Sequence, residues 1–357
     1  MNKPILSICI PTYNRADVVK ECVKKLLVCK RDDIEIVVID NCSDDNTALY
    51  MKELQDSRLK FERNEKNYGA SYNIHKTFLK ASGKYMLLIS DEDDVLHEQI
   101  DYLVECFKKN DDIAVMVVGG KRGENDLKVF PDKEYDTGFD ALMEIGFCVR
   151  YMTGVILNGE MYKKYIGEVS YEESAFKFNT YSFIYAMAIL SMHGRNITSS
   201  RMVYEQTRYA KTHRTNNSMD QVDVFYYEPL GRKGQIFCWN RAVSELGLSK
   251  VQKIFVSLKI MFDSTTVALR VYNHGEIVKY KRMASDKDFD DFVKHIGRSD
   301  IDETVNMLLQ AGIEAMNTND FCAITCFEEL EEIDVGLYKY YVNQKIKLDK
   351  LVEELKQ

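Results

Sequence analysis

The sequence predicts an α/β fold, a mostly parallel sheet flanked by helices, followed by a helical C-terminal region. Apolar strand-like runs and helical stretches alternate four times between Ile5 and Ser90, the pattern of an open parallel sheet. Each of the four runs ends in a polar cluster: "PTYNR", "DNCSDD", "NEKNYG" and "DEDD". From about Pro229 the texture changes to long amphipathic stretches such as "KVQKIFVSLKIMFDSTTVALRVY" and "ETVNMLLQAGIEAM".

"ILSICI" (Ile5–Ile10) is a short apolar run stopped by Pro11, which marks a buried strand and a turn. "ADVVKECVKKLLVC" (Ala16–Cys29) puts Val18, Val19, Cys22, Val23, Leu26 and Leu27 on one helical face. "IEIVVID" (Ile34–Asp40) is a second strand, "DNTALYMKELQ" (Asp45–Gln55) a helix and "LKFERNE" (Leu59–Glu65) a third strand. "ASYNIHKTFLKAS" (Ala70–Ser82) is the next helix and "KYMLLIS" (Lys84–Ser90) the fourth strand. Further strands are expected over Asp112–Gly120, Met152–Asn158 and Arg201–Gln206. Helices are expected over Asp136–Gly146 and, fully buried, over Phe178–Gly194. The expected organisation is one domain over residues 1–220, in halves 1–110 and 111–220, and a helical region over 221–357.

A chain of 357 residues has room for two or three domains, and its 45% hydrophobic and 29% charged content is that of an ordinary globular protein. The formal net charge of −8 argues against a nucleic-acid partner, because phosphate backbones select basic faces. Nine scattered cysteines give no zinc spacing, so free thiols in a reducing compartment are expected. "MNKPILSICIPTYNR" lacks the form of a signal peptide, and the longest apolar run, "FIYAMAILSM", is about half a membrane helix. The expectation is a cytoplasmic protein, at most peripheral at the inner face of the membrane.

"YMLLISDEDDVL" asks for chemistry: Asp91, Glu92, Asp93 and Asp94 follow directly on a buried strand. Like charges this close repel, so a cation or a mobile proton must offset the cost. In an open α/β sheet, ligands bind at the carboxyl ends of the strands, and the four polar clusters therefore line one rim. Tyr13 can stack on a base and Arg15 can reach a phosphate. Asp40 can accept a hydrogen bond from a ring N–H, and Asp91 and Asp93 can chelate a hard cation. No Gly-x-Gly-x-x-Gly or Walker-type loop is present. A nucleoside diphosphate with a divalent ion fits these residues.

"SICIPTYNR", "VVIDNCSDDNT", "NYGASYN" and "GKYMLLISDEDDV" match, in order and spacing, the donor half of family 2 glycosyltransferases with the GT-A fold. The resemblance is firm over Pro4–Asp101 and continues weakly to about Ser218. It implies an inverting enzyme of the bacterial surface-polysaccharide type, using Mn²⁺ or Mg²⁺ and a UDP-sugar donor, with a glycan or lipid-linked glycan as acceptor. It implies nucleotide contacts from Pro11, Thr12, Tyr13, Arg15 and Asp40, with Asn67 and Gly69 shaping the pocket loop. Asp91-Glu92-Asp93 would be the Asp-x-Asp motif, with Asp93 as direct metal ligand and Asp91 on the ribose or the metal. His213 would match a position that contacts metal or diphosphate, with Arg214 assisting.

The family's Glu-Asp pair, which supplies the general base, has no counterpart at Phe178, Asn179 and Thr180. Glu172 and Glu173 are the substitutes. Competing readings are a scaffold that kept the donor half and lost the base, and a sugar-phosphate nucleotidyltransferase. The latter needs a glycine-rich triphosphate loop that "PTYNRADVV" lacks. Each residue also has a plain role: the acidic quartet as a solvated turn, Tyr13 in the core, Asp40 as a cap, Glu172 and Glu173 as a helix start. The C-terminal helices offer a homodimer surface.

Overall fold

The computed structural model describes residues 3–123, 125–128, 130–147, 151–178, 182–206, 229–272 and 301–356. The chain forms two compact units. One comprises the described residues of 1–146, 150–174 and 181–221, and the other those of 147–149, 175–180 and 222–357.

The first unit is built on one mixed sheet. Its strands are β1 (Leu6–Thr12), β2 (Ile34–Asp40), β3 (Leu59–Arg63), β4 (Tyr85–Leu88), β5 (Asp93–Val95), β6 (Ile113–Arg122), β7 (Asn125–Lys128), β8 (Lys133–Tyr135), β9 (Val155–Asn158) and β10 (Arg195–Gln206). The order is β3-β2-β1-β4-β9-β6-β10-β5, with β7 on β6 and β8 on β10. The segment β3-β2-β1-β4 is parallel throughout, as the alternation predicts. Beyond it, β9 runs antiparallel to both β4 and β6, and β10 returns parallel to β6. All seven residues of β2 and all four of β4 are buried. Helices cover both faces of such strands, so their sequences read as unbroken apolar runs.

The helices of this unit are α1 (Ala16–Leu27), α2 (Thr47–Glu53), α3 (Gly69–Lys80), α4 (His97–Lys109), α5 (Phe139–Ile145), α6 (Gly159–Tyr165) and α8 (Ser182–Ser191), with the first turn of α7 (Tyr171–Phe178). Helix α1 buries Val18, Val19, Cys22, Val23 and Leu26 on the predicted face. The core between sheet and helices combines Ile8, Ile10, Val38, Leu87 and Ile89 with Val19, Val23, Ile100, Leu103 and Phe107. Every residue of α8 is buried, the mark of an interior helix.

Several elements differ from the sequence expectations. Helix α2 starts at Thr47, because the Asp45 side chain accepts from the Thr47 amide and leaves Asp45 outside the helix. The buried helix is shorter than Phe178–Gly194, since its last turn gives way to a tight turn before β10. The final strand is twice its expected length: "RNITSS" reads as polar, yet β6 and β8 flank it and supply its pairing. Helices α4 and α6 lie outside every predicted helix, while α7 contains Glu172 and Glu173, whose plain reading was a helix start, and meets the predicted buried helix only at Phe178. The eight described cysteines are free: Cys9 and Cys22 are buried, Cys326 is exposed and the rest are half-buried.

The second unit is helical. It contains α9 (Pro229–Glu245), α10 (Lys250–Tyr272), α11 (Ile301–Thr318), α12 (Leu330–Ile333) and α13 (Val335–Lys356). Ile236, Trp239, Ile254, Leu258, Met261, Leu308 and Met316 form its interior. Gly312 lets α11 approach α10 closely: a Cβ there would lie 2.3 Å from the Met261 sulfur.

Candidate active site

Thr12, Asp40, Arg63 and the acidic run after Leu88 stand at the carboxyl ends of four adjacent strands. Thr12 is opposite Asp40, and Asp40 is opposite Arg63. The strand order 3-2-1-4 thus brings three of the polar clusters and the acidic run to one edge, where the sequence argument expected a site.

Hydrogen bonds from side chains to backbone and to other side chains knit the loops together. Asn14 and Cys42 hold positive φ values of 51° and 67°, uncommon for non-glycine residues and concentrated at functional loops. The Asn14 amide donates to Ser43 Oγ at 2.8 Å, and Asn14 Oδ1 accepts from the Asp44 amide. Asp45 Oδ2 accepts from the Ala16 amide, tying the second loop to the first turn of α1. Further along, buried asparagines shape the third cluster. Asn64 Nδ2 donates to Asn41 Oδ1 and Asn73 Oδ1, both at 3.0 Å, and Asn41 Nδ2 donates to Asn67 Oδ1 at 2.6 Å. Asn67 Oδ1 also accepts from the Gly69 amide, and Gly69, with φ 78°, opens α3. Pro11 and Tyr13 are half-buried on the first loop.

Asp40 is fully buried. Its Oδ1 accepts from the Ser43 amide and hydroxyl, at 3.0 and 2.5 Å. Its Oδ2 takes no hydrogen bond and lies 3.3 Å from Arg63 Nε. Burial raises the carboxyl above its ordinary range, against the Ser43 hydrogen bonds and the Arg63 charge.

The acidic run divides into two environments. Both Asp91 oxygens are engaged: Oδ2 accepts from Thr12 Oγ1 at 2.7 Å and Oδ1 from Arg15 Nη1 at 2.9 Å. The same guanidinium nitrogen reaches Glu92 Oε2 at 3.1 Å. Asp94 pairs with Lys25 at 2.6 Å. Asp93 is different: it opens β5, opposite Gln206 of β10, and is fully buried. Its Oδ2 accepts from Thr153 Oγ1 at 2.5 Å, while Oδ1 has no hydrogen-bond partner. Burial, aided by Glu92 and Asp91, pushes the Asp93 carboxyl up to about 7 despite the Thr153 hydrogen bond and the influence of the Tyr151 hydroxyl.

An orphaned buried oxygen on a carboxyl beside other acids fits a hard divalent ion. Among the described residues no three His, Cys, Asp or Glu side chains group to hold an ion by themselves. That matches a site using one or two carboxylates with the remaining positions from phosphate oxygens and water. Asp93 is the fitting ligand; Thr12 and Arg15 already hold Asp91.

The acceptor-side candidates fall elsewhere. Glu172 and Glu173 lie exposed in the first turn of α7. Glu173 Oε2 accepts from the Ser170 amide, and the Glu173 amide donates to Ser170 Oγ, a reciprocal capping box. Glu172 bears on Tyr72 of α3, whose hydroxyl burial, Tyr68 and Glu172 hold above the usual range. Tyr68, Tyr72 and Tyr171 pack at centroid distances of 5.1 to 5.7 Å. His213 and Arg214 lie outside the described residues.

Sequence reasoning missed Thr153, Tyr151 and Gln206, which surround Asp93, because "YMTG" and "YEQ" carry no motif. It missed Asn41, Asn64 and Asn73 as individuals, although two of them stand in the polar clusters.

Comparison with known proteins agrees with this architecture. The family model described as glycosyl transferase family 2 matches residues 7–167. Glycosyltransferase GlyG of Streptococcus pneumoniae is 26% identical over 198 residues, 54% of this chain and 60% of that protein. GalNAc(5)-diNAcBac-PP-undecaprenol beta-1,3-glucosyltransferase of Campylobacter jejuni is 31% identical over 106 residues, 29% of this chain and 34% of that protein. The chain thus spans between about a third and three-fifths of these curated relatives. The crystal structure of S. aureus TarS 1-349 in complex with UDP shares the fold, with a TM-score of 0.56, 13% identity, and coverage of 97% of this chain and 91% of that one. Residues 7–167, just under half of the chain, thus match glycosyl transferase family 2.

Proposed function

We propose that the protein is a metal-dependent, inverting glycosyltransferase that moves a sugar from a UDP-sugar to a glycan or lipid-linked glycan in surface-polysaccharide synthesis. The observation that carries this is Asp93, a buried carboxyl with one oxygen unpartnered, beside Asp91 at the rim formed by β1 and β4. A bound Mn²⁺ or Mg²⁺ would supply charge stabilisation for the departing diphosphate.

The chain's own groups do the rest. Arg15 holds Asp91 and Glu92 in fixed positions and contributes positive charge near the diphosphate. Asp40 Oδ2, the oxygen without a hydrogen bond, accepts the ring N–H of uracil, while Ser43 holds the other oxygen. Tyr13 stacks on the base. Asn67 and Gly69 form the wall of the nucleotide pocket. Glu172 takes the proton of the acceptor hydroxyl, since the Glu173 carboxylate is engaged in capping α7. The Campylobacter relative, named for an undecaprenol-linked glycan, supports the acceptor class.

Calorimetric titration with UDP, with and without Mn²⁺, tests the site. Asp93→Ala should abolish the metal-dependent part of UDP binding while the circular dichroism spectrum is kept. Undiminished Mn²⁺-dependent affinity in that variant would overturn the assignment.

A further inference from the structure

Thr153 lies before β9 and is separated from Asp93 by 60 positions, yet its hydroxyl is 2.5 Å from Asp93 Oδ2. Thr153 Oγ1 also accepts from the Ser90 backbone amide at 2.8 Å. An amide can only donate, so the hydroxyl's own proton is left for the carboxylate. Thr153 is 3% exposed, which shields its hydroxyl from bulk solvent. Oδ2 is therefore anchored from one side, and Oδ1 is the oxygen without a partner.

The backbone of Asp93 is fixed as well. Its amide donates to Ser90 O at 3.1 Å, its carbonyl accepts from Cys22 Sγ at 3.6 Å, and it pairs with Gln206 across β5 and β10. Gln206 Nε2 in turn donates to the Tyr151 hydroxyl at 3.0 Å, two residues before Thr153. One short segment thus touches the turn before Asp93, the Asp93 carboxyl and the strand paired with it.

We propose that Thr153 is a positioning residue of the donor site: its hydroxyl fixes the rotation of the Asp93 carboxylate so that Oδ1 is kept for a divalent cation. This rests on the reading of Asp93 as the metal ligand. Replacing a group that orients a metal-ligating side chain typically costs about 10- to 100-fold in metal affinity. The threonine methyl only packs, whereas the hydroxyl carries the orientation.

MnCl₂ titrated calorimetrically into the UDP-saturated protein tests this in the parent, Thr153→Val, Thr153→Ser and Asp93→Asn. Thr153→Val should weaken Mn²⁺ binding about 10- to 100-fold, with UDP affinity in chelator unchanged. Thr153→Ser, which restores the hydroxyl, should stay within about threefold of the parent, by the same principle. If Thr153→Val fails to fold by circular dichroism, Thr153→Ala is judged by the same thresholds. Parent-like Mn²⁺ affinity in the valine variant, with binding lost in Asp93→Asn, overturns the role of Thr153 alone. Parent-like affinity in Asp93→Asn overturns the metal-ligand reading and this inference together, as does a parent that binds no Mn²⁺.

Discussion

Asp40 and Asp93 share an unusual condition at the residue scale: each is fully buried, and each has one oxygen hydrogen-bonded and the other without a hydrogen bond, the Asp40 oxygen facing only the Arg63 charge. A buried oxygen without a partner costs about 1–3 kcal/mol, so such groups persist where a ligand completes them. Asp40→Asn should therefore weaken UDP binding about 10- to 100-fold, the worth of a charged hydrogen bond, measured by calorimetry. Equal affinity would remove Asp40 from base recognition. Both carboxylates were legible in the sequence because each ends a long apolar run. Their partners were not: Ser43 is one of several polar residues in its loop, and Thr153 lies 60 positions from Asp93 with nothing local to mark it.

The same contrast holds among the elements. Strands β1 to β4 and helices α1 to α3 were readable because each buries its apolar residues with a clean period. The acidic run was expected as the end of a strand. In the fold, Asp93–Val95 is itself a strand, created by pairing with Tyr204, Glu205 and Gln206. The polar first half of β10 is likewise a strand because of its neighbours, as β propensity depends strongly on context. In α7 the two glutamates separate by geometry. Glu173→Ala should lower stability by about 1 kcal/mol through loss of the capping box, measured by urea unfolding. Glu172→Gln should leave stability within about 0.5 kcal/mol and lower the transfer rate by at least about 100-fold if it is the base. Full activity in Glu172→Gln would assign the base elsewhere.

At the scale of the whole molecule, ion pairs tie stability to pH. Asp33, held by Arg31 and Lys108, and Asp56, held by Arg58, both titrate at about 2. Their unfolded-state values lie near 3.9. A depressed folded-state value adds stability above the unfolded one, and this is lost as pH falls through the folded one. Replacing both by Asn should therefore destabilise the protein at pH 6, and the gap from the parent should close between about pH 4 and pH 2. A gap independent of pH in thermal melts would show that these pairs do not couple to folding. No helix among the described residues is long and apolar enough to cross a membrane, in keeping with a longest apolar run of about half that length.

The sequence by itself determined the α/β class, a mostly parallel sheet with four strands alternating with helices, the acidic run at a strand end and the resemblance to a family, because these rest on local periodicity and on motifs within about a hundred residues. Only the tertiary structure decided which acid is paired and which is left with an unpartnered oxygen. That choice depends on Thr12 and Arg15 closing on Asp91, and on Thr153, from the turn before β9, and Gln206 of β10 arriving beside Asp93 from far along the chain. Hydrogen bonds of such separation leave no periodic trace in the sequence. They exist only once the sheet has brought β9 and β10 beside the end of β4.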